Sequence, residues 1–550
     1  MKVLLISINA KYIHTNNAVR LLKANCDFPV DIFEYTIKDP LEKIIRDIEE
    51  YNPDVLGFSC YIWNISLFIK IIDRLSLDGS KIIMGGPEVS YDATYFLNKY
   101  PVDVIIKGEG EKAFNSLIHA YNNNADLVNI PSISYNLNNI VVSNPIKEIT
   151  DLNTVILPYY YDEDKEHIKH KISYIESSRG CPYKCSYCLS SLEKTVRFFD
   201  LDKVKEAILY LMSNGSKIIK FLDRTFNANK NTLELLDFII KNNNSKTVFQ
   251  FEITGDVLDP KIIEYLNLNA PKGLFRFEIG IQSINEATNL LVDRFQDTNK
   301  LFSNIKKIQD GNIIDLHLDL IAGLPNEDLD SFIHTFNEVF KLGAKELQLG
   351  FLKMLRGTKI RIQAKKYDYE FDELPPYQIT RNNVLDTEDI DVIHNVEHML
   401  EIYHNKGYFK ENMHNILLNK KNVFMFLSSI DSHYKENSLA LKNYQIEDVY
   451  KNIFPLLSDR ETFLIKQDYL RRSKIKPKLF FPVIRDKDTR KQVFTYVAKN
   501  NKININELYK NSVVIEFENE YFVIIYKNGY QLTFKIKEDI NWYLLFILIP

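Results

Sequence analysis

The sequence has few cysteines, no long apolar run and no excess of charge of one sign. Only five of its 550 residues are cysteine, too few for the disulfide framework of a secreted protein. No apolar stretch approaches the roughly 18 residues that a membrane-spanning helix needs. The formal net charge of −4 gives no global attraction to nucleic acid or to an anionic membrane. These absences predict a cytoplasmic protein that has no membrane partner and for which RNA is a less favoured substrate than a small molecule or peptide.

The composition that remains is that of an ordinary globular protein. Hydrophobic residues make up 45% of the chain and charged residues 26%. A chain of 550 residues is long enough for several domains. The apolar start of the chain, residues 3–8, is too short for the core of a signal peptide and indicates a buried strand.

Three of the five cysteines fall in one short segment, Gly180-Cys181-Pro182-Tyr183-Lys184-Cys185-Ser186-Tyr187-Cys188. Thiolates select iron–sulfur clusters, zinc or copper(I). A structural zinc ion and an ordinary four-iron cluster each take four protein ligands, and no fourth cysteine or histidine lies nearby in the sequence. Three thiolates on a four-iron cluster leave one iron open to a substrate or cofactor. A zinc-binding or coincidental cysteine group is the alternative interpretation.

This motif resembles the radical S-adenosylmethionine (SAM) superfamily, in which the open iron of a [4Fe-4S] cluster chelates the amino and carboxylate groups of SAM. The resemblance makes Cys181, Cys185 and Cys188 the cluster ligands and the catalytic centre. The ring of Tyr187 is placed to pack on a flat ligand. An open cluster is oxygen-sensitive, so we expect oxygen-protected chemistry and an external electron donor such as flavodoxin or ferredoxin.

Residues 1–125 alternate short apolar runs with helical patterns, which is typical of a doubly wound, flavodoxin- or Rossmann-like parallel sheet. The predicted strands are Val3–Ile8, Val30–Tyr35, Val55–Ser59, Lys81–Met84 and Val102–Ile106. The predicted helices between them are Leu41–Glu50 and Ile65–Leu75. Ligands of such sheets bind beyond the carboxyl ends of the strands. Five small or acidic residues follow those ends: Ser59, Gly85, Gly86, Gly108 and Glu109.

This ordered set resembles the cobalamin-binding domain that precedes the barrel of many radical SAM enzymes. The resemblance implies that those five residues contact cobalamin. One departure concerns the lower cobalt ligand, because the Asp-x-His-x-x-Gly motif of many cobalamin proteins is missing. His14 is the nearest candidate to contact cobalamin, and base-off cobalamin without a protein ligand is the favoured state. An empty flavodoxin-like docking module is the alternative.

A connector, residues 126–165, precedes a second series of strand and helix patterns over residues 166–365. Six strand–helix units predict a partial (β/α)6 TIM-type barrel, whose chemistry belongs at the carboxyl ends of its strands. The predicted strands are Lys171–Ile175, Lys217–Leu222, Val248–Ile253, Leu274–Ile279, Asp315–Leu320 and Glu346–Leu349. The radical SAM resemblance implies that residues at these ends bind SAM, namely Asp223, Glu252, Glu278, Gln282 and Gly323. Asp223 stands where that family often has Gly-Gly-Glu.

Residues 366–550 carry no motif of the same strength and predict a mixed α+β substrate or cap domain. Its predicted helices are Ile390–Asn405 and Ile446–Phe454, and Asn528-Gly529 predicts a hairpin turn. His394-Asn395-Val396-Glu397-His398 fits a zinc peptidase pattern, but a solvated helix face is a sufficient explanation and is the favoured interpretation. The basic segment 471–478 is either a surface for phosphate, RNA or an acidic peptide, or an exposed loop.

The resemblance implies a cobalamin-dependent radical SAM methyltransferase that acts on an unactivated carbon or phosphorus through a 5′-deoxyadenosyl radical and methylcobalamin. A radical rearrangement, ring contraction or cyclisation with non-methylating cobalamin is the second hypothesis. A third hypothesis is a non-catalytic protein that binds cobalamin or an iron–sulfur cluster.

Overall fold

The computed structural model describes residues 1–193, 195–409, 412–483, 486–518, 520–527, 530–537 and 545–547. The chain separates into two compact units, residues 1–390 and 391–550. Within the described residues, no helix is long and apolar enough to cross a membrane.

The first unit begins with a seven-stranded sheet in the order β2-β1-β3-β4-β5-β6-β7. Its strands are β1 (Val3–Asn9), β2 (Val30–Thr36), β3 (Val55–Ser59), β4 (Lys81–Gly85), β5 (Val104–Ile106), β6 (Ile133–Leu137) and β7 (Ile140–Ser143). Its helices are α1 (Asn17–Ala24), α2 (Leu41–Tyr51), α3 (Ile65–Ile72), α4 (Pro87–Ser90), α5 (Ala93–Lys99) and α6 (Glu111–Asn123). The first five strands are parallel, and β6 and β7 add an antiparallel edge.

Separate apolar cores cover the two faces of this sheet. Leu4, Ile6 and Ile8 of β1 belong to one core, whereas Val3 and Leu5 belong to the other. Neighbouring residues of a strand point to opposite faces, so a strand with both faces covered is a continuous apolar run. The doubly wound sheet predicted from those runs is confirmed.

A second, six-stranded parallel sheet follows in the order β15-β14-β13-β12-β11-β8, with a two-stranded pair, β9 and β10, beside it. The strands are β8 (Ser173–Ile175), β9 (Ser178–Arg179), β10 (Arg197–Phe198), β11 (Ile218–Phe221), β12 (Val248–Ile253), β13 (Phe275–Gln282), β14 (Asp315–Ala322) and β15 (Glu346–Phe351). The helices are α7 (Lys165–His170), α8 (Leu201–Ser213), α9 (Thr232–Lys241), α10 (Pro260–Asn269), α11 (Glu286–Leu291), α12 (Thr298–Gly311) and α13 (Leu329–Phe340). The predicted partial barrel of six parallel strands is confirmed.

The structure differs from the sequence prediction at the strand ends that shape the site. Strand β13 continues three residues beyond the predicted Ile279, through a register shift between Gly280 and Gln282. Strands β9 and β10 were not predicted, because two residues are too short to show a period. Helix α3 ends at Ile72 rather than at Leu75.

After β15 the chain folds back onto the carboxyl end of the barrel. This segment, residues 352–385, contains α14 (Lys359–Ile362), β16 (Glu370–Phe371) and β17 (Ile379–Arg381). Its buried side chains form an apolar cluster with Val292 and Leu324 of the barrel, and Ile62 and Tyr187 pack against that cluster. The cluster therefore joins the loop after β3, the cysteine loop and the barrel.

The second unit is a helical region followed by a small antiparallel sheet. Helix α15 (Thr387–Leu400) leads into it, followed by α16 (Asn412–Leu418), α17 (Val423–Glu436), α18 (Ile446–Ile453), α19 (Asp459–Arg472), α20 (Lys487–Asn501) and α21 (Ile505–Asn511). The sheet is β18 (Ser512–Phe517), β19 (Glu520–Lys527), β20 (Tyr530–Lys537) and β21 (Leu545–Ile547). Strands β19 and β20 pair as the predicted hairpin, and its turn, Asn528-Gly529, lies outside the described residues.

Candidate functional site

The three-cysteine loop is closed at its base by the β9–β10 pair. Gly180 has φ +90°, and a Cβ atom there would lie 2.2 Å from the carbonyl oxygen of Thr195. Only glycine allows the two sides of the loop to approach this closely. The glycine before the first cysteine is therefore required by the backbone of the loop.

Backbone hydrogen bonds hold the far side of the loop. The Ser186 amide donates to the carbonyl of Val292 at 2.8 Å, and the Ser186 carbonyl accepts from the Ile360 amide at 2.9 Å. The loop is thus fixed between the barrel and the segment that folds back over it. Burial raises the pKa of the Cys181 thiol, so this thiol needs a metal or a cation to ionise.

The three thiols fit a multi-iron cluster. All three are free; Cys185 is buried, and Cys181 and Cys188 are partly exposed. In the part of the chain that the structure describes, no three Cys, His, Asp or Glu side chains converge on one metal-ion position. A single zinc ion needs its ligands around one point, whereas each thiolate of a cluster binds a different iron. Three free thiols within one loop suit the three-ligand cluster that the motif predicts.

A partly buried arginine that sequence reasoning missed lies against this loop. Nη1 of Arg294 is 3.9 Å from Sγ of Cys185 and 3.4 Å from the hydroxyl of Tyr187. Its Nη2 donates to the carbonyl of Gly280 and to Gln296. This fixed positive charge stabilises a thiolate beside it. No local pattern marks Arg294, because the contact depends on the fold of distant residues.

Asp223 joins the ends of β11 and β8. Its carboxylate accepts from the Ser177 amide at 2.9 Å, the Ser177 hydroxyl at 2.5 Å and the Ser178 hydroxyl at 2.7 Å. Burial raises the pKa of Asp223 to about 6, although these donors oppose the change. The carboxylate thus holds the backbone just before the cysteine loop. Its assignment to the amino group of SAM stays a prediction.

The barrel sheet has an apolar face and a charged face. Buried positions alternate along β12 and β13, so apolar side chains share one face. The other face carries Lys220, Gln250, Glu252, Arg276, Glu278, His317, Asp319 and Glu346. Barrel interiors are usually filled with branched apolar side chains, and this one is polar. The alternation is visible in the sequence, yet the site prediction used only the strand ends.

The charged face brings predicted site residues together. Glu278 accepts from Lys220 at 2.9 Å and from Gln250 at 2.8 Å, and despite burial Lys220 lowers the pKa of Glu278. Glu252 lies 3.6 Å from Arg224. Burial raises the pKa of Glu252, and Arg224 opposes this. The side chain of Arg224 is 56% exposed.

Gln282 has the geometry of a ligand-binding residue. It has φ +68°, and Oε1 is buried with no hydrogen-bond partner among the described residues. A buried acceptor without a partner is costly unless a ligand satisfies it. Gly323 is different, because a Cβ there would lie 1.9 Å from Ile379. Its carbonyl accepts from the Tyr369 hydroxyl at 2.8 Å.

A buried carboxyl group binds the residue that follows the end of β13. Glu327 is 0% exposed and accepts from Ser283 at 2.5 Å and from Thr335 at 3.0 Å. Burial raises the pKa of Glu327 from 4.5 to about 7. The folded chain therefore binds this proton more tightly than the unfolded chain, and the contribution to the free energy of unfolding falls as the pH rises from about 4.5 to about 7.

We expect Glu327→Gln to remove the loss of unfolding free energy that deprotonation of Glu327 causes. Above pH 7 the variant should be more stable than the wild type by up to about 3 kcal/mol, with a flatter pH dependence between pH 4.5 and 7. Urea unfolding at a series of pH values measures both. Glu338→Gln, which changes a partly exposed carboxylate paired with Lys341, is the control. The expectation would be contradicted if the free energy of unfolding changed equally with pH in the wild type and in both variants.

The predicted cobalamin residues lie at the carboxyl edge of the first sheet. The Ser59 hydroxyl accepts from Asn16 at 2.7 Å. Gly86 has φ +113°, and a Cβ there would lie 2.4 Å from the Cys60 carbonyl oxygen. The Cys60 amide donates to the Gly85 carbonyl at 2.6 Å. Glycine at this position lets the loops after β3 and β4 meet at the edge of the crevice.

Three other predicted residues already have protein partners. Nδ1 of His14 lies 2.7 Å from the hydroxyl of Tyr174 on β8, and burial lowers the pKa of His14. Gly108, with φ +67°, donates its amide to Ser90 at 3.3 Å. The carboxylate of Glu109 binds arginines of the barrel. Cobalamin contacts of all these residues stay predictions.

An exposed aromatic pair beside Ser59 was missed. The rings of Tyr61 and Trp63 are stacked, with centroids 4.5 Å apart and planes 6° apart. Trp63 is 45% exposed and its Nε1 donates to the Ile8 carbonyl at 3.0 Å. A fixed apolar surface at a ligand-binding edge suits a flat ligand. The Tyr-Ile-Trp run directly after β3 is a signal that sequence reasoning did not use.

The motifs of the second unit form no comparable site. His394, Glu397 and His398 lie on α15, and no three metal-ligating side chains among the described residues converge on one metal-ion position. The basic segment begins at the end of α19 and continues as a loop in which Ile475 is 76% exposed.

Comparison with known proteins identifies three regions in this order. Residues 3–118 match the B12 binding domain, and residues 175–339 match the radical SAM superfamily. Residues 365–539 match a protein family of unknown function, DUF4080.

Curated relatives are similar to part of the chain. The cobalamin-dependent radical SAM methyltransferase TokK of Streptomyces tokunonensis is 24% identical over 389 residues, covering 64% of this chain and 54% of TokK. The anaerobic magnesium-protoporphyrin IX monomethyl ester cyclase of Synechocystis is 25% identical over 341 residues, covering 58% of this chain and 67% of the cyclase. The chain spans only 32% to 54% of the length of three of its curated relatives.

Solved structures share the fold. The cobalamin-dependent SAM radical enzyme OxsB, with aqua-cobalamin bound, has a TM-score of 0.61 at 16% identity, covering 86% of this chain and 80% of OxsB. The radical SAM methyltransferase TsrM of Kitasatospora setae, with cobalamin and a [4Fe-4S] cluster bound, has a TM-score of 0.55 at 16% identity, covering 66% of this chain and 75% of TsrM. With a B12 binding domain in front of a radical SAM barrel whose loop presents three free thiols, the chain combines the two domains of a cobalamin-binding radical SAM enzyme, and these domains imply a [4Fe-4S] cluster, SAM and cobalamin as cofactors.

Proposed function

We propose that this enzyme is a methyltransferase that acts on an unactivated carbon or phosphorus. The observation that carries the proposal is the meeting of the two cofactor regions at one apolar cluster. Ile62, directly after the cobalamin-side strand β3, and Tyr187, directly before the third cysteine, pack against the same buried residues. A substrate held beside this cluster is within reach of both regions.

When bound, the cluster, SAM and cobalamin supply the radical and methyl chemistry, and the protein supplies binding and orientation. Cys181, Cys185 and Cys188 would hold the cluster. Gln282 offers its unpartnered Oε1 to SAM. The Tyr61–Trp63 pair offers a flat surface on the cobalamin side.

Water exclusion is the task of residues 352–385. Their buried side chains, among them Leu352, Met354 and Tyr377, cover the carboxyl ends of β14 and β15. Closing a site against water protects reactive intermediates from side reactions. The apolar cluster therefore suits radical chemistry.

The charged barrel face supports a polar substrate. The side chains of Lys220, Glu252 and Glu278 are 22%, 26% and 21% exposed, respectively. Arg224, which is 56% exposed beside Glu252, presents its planar fork to a carboxylate or phosphate. We therefore propose a polar small molecule or peptide as substrate, and flavodoxin or ferredoxin as electron donor.

Product analysis tests the proposal. Protein purified without oxygen is reconstituted with iron, sulfide and hydroxocobalamin, desalted, and supplied with SAM, reductant and pools of polar small molecules and peptides. Mass spectrometry should detect 5′-deoxyadenosine and S-adenosylhomocysteine, with methyl from labelled SAM in a product. Methyl transfer would be contradicted if a substrate is consumed and 5′-deoxyadenosine forms, but no labelled methyl is transferred from SAM.

A radical rearrangement or cyclisation is the second candidate. The observation that favours it is the similarity to the magnesium-protoporphyrin IX monomethyl ester cyclase, which is 25% identical over 58% of this chain. Substrate turnover with 5′-deoxyadenosine and without S-adenosylhomocysteine is the expected result in that case.

A further inference from the structure

Two arginines face each other at the base of the cysteine loop. Arg179 of β9 and Arg197 of β10 are paired in register across the antiparallel ladder. All three cysteines lie between them in the chain. Like charges directly opposite each other on neighbouring strands are destabilising, and both side chains are about 90% buried, with exposed fractions of 10% and 9%. The loop base therefore needs nearby carboxylates.

One carboxylate from the cobalamin-binding domain contacts both arginines. Oε1 of Glu109 accepts from Nη1 of Arg179 at 3.2 Å and from Nη1 of Arg197 at 2.9 Å. Oε2 accepts from Arg197 at 2.9 Å and from the Ile149 amide at 2.5 Å. Glu109 is itself only 15% exposed. Its backbone lies between two glycines in the loop after β5 of the first sheet. Its side chain binds the β9–β10 pair beside the barrel.

The other acids of this group have narrower contacts. Glu111 accepts from Arg179 at 2.6 Å, and Glu176, three residues before Arg179, accepts from the same guanidinium at 2.9 Å. Glu193, inside the cysteine loop, lies 3.4 Å from Arg197. Glu109 is thus the acid in the described part of this group that binds both sides of the loop base.

We propose that Glu109 is a positioning residue that fixes the cysteine loop against the cobalamin-binding domain and so sets the separation of the cluster from cobalamin. Removing one partner from a buried ion pair leaves an uncompensated charge. Without Glu109, the two facing guanidinium groups repel each other, and the loop base opens or turns. The proposal concerns the two cofactors, so it holds for either reaction class.

The test measures geometry rather than turnover. Full-length Glu109→Gln is loaded anaerobically with cluster and cobalamin. The cluster is reduced by one electron and cobalamin is brought to Co(II), so that both are paramagnetic. Pulsed electron paramagnetic resonance then gives the distribution of distances between the two spins. We expect a single narrow distribution in the wild type and a shifted or broadened one in Glu109→Gln. Hydrogen exchange of residues 180–196 should be at least about tenfold faster in the variant.

Two variants make the outcome decisive. Glu193→Gln removes an acid from the same group without touching the cobalamin-binding domain, so its distance distribution should match the wild type. Glu109→Asp keeps the charge on a shorter side chain and should restore part of the wild-type distribution, and it replaces Glu109→Gln in the test if that protein does not fold. Unchanged distances and exchange in both Glu109 variants would overturn the proposal. Loss of cobalamin with an unchanged loop would also overturn it, and would make Glu109 a cobalamin ligand.

Discussion

Protein with Cys185 replaced by alanine should hold no complete [4Fe-4S] cluster and should not cleave SAM. Cys185 is the buried member of the three-cysteine loop, and backbone bonds at the neighbouring Ser186 fix its position. With two thiolates left, the cluster loses a ligand that no described residue nearby can replace. Even a residue one layer away from a metal costs roughly 10- to 100-fold in affinity or activity, so we expect a loss of more than about 100-fold in SAM cleavage.

The measurement pairs iron and sulfide content with 5′-deoxyadenosine formation under anaerobic conditions. Cys26→Ala is the matched control, because Cys26 is a partly exposed free cysteine of the first domain, outside the loop. It should keep full iron content and full SAM cleavage. A Cys185→Ala protein with four irons and normal SAM cleavage would show that the loop is not the cluster site.

Much of the fold follows from short-range patterns in the sequence. The parallel strands of both sheets are apolar runs or strict alternations, and each is bounded by turn residues or by a helical period. Strands β3 and β12 have the predicted bounds. The cysteine loop was found because its spacing is local. Such features need no knowledge of which strands become neighbours.

The remaining features depend on contacts between distant residues. Arg294 reaches Cys185 across 109 positions, and Glu109 reaches Arg197 across 88. Neither pair leaves a periodic trace. The sequence places Glu109 at a ligand-binding strand end, but only the folded chain shows that its carboxylate is bound to two barrel arginines. Asp223 is similar, since its three serine and amide donors come from the neighbouring strand.

Gly86→Ala should disrupt the cobalamin crevice more than loss of glycine flexibility alone explains. A Cβ at this position would lie 2.4 Å from the Cys60 carbonyl oxygen and 3.1 Å from the Cys60 amide nitrogen. Both are backbone atoms held by hydrogen bonds, because the Cys60 amide donates to Gly85 of β4 and the Cys60 carbonyl accepts from Glu88 of α4. The backbone conformation at Gly86, with φ +113° and ψ 172°, costs an alanine about 1–3 kcal/mol, and the clash adds about 1–3 kcal/mol. The loops after β3 and β4 must separate, which moves the edge where Ser59 and the Tyr61–Trp63 pair lie.

Gly79→Ala separates the two contributions. Gly79 also has a positive φ, +80°, but nothing lies within 4 Å of its Cβ position. It should lose only the cost of the strained φ and should retain cobalamin as the wild type does. Each 1.4 kcal/mol by which a substitution destabilises the cobalamin-bound state weakens binding about tenfold. The clash should therefore lower the affinity of Gly86→Ala for cobalamin by at least about tenfold. Cobalamin retained after desalting, read from the visible spectrum beside urea unfolding, measures both effects. Equal retention by Gly86→Ala and Gly79→Ala would place cobalamin away from the β3–β4 edge, because a forced displacement of that edge would then leave the ligand undisturbed.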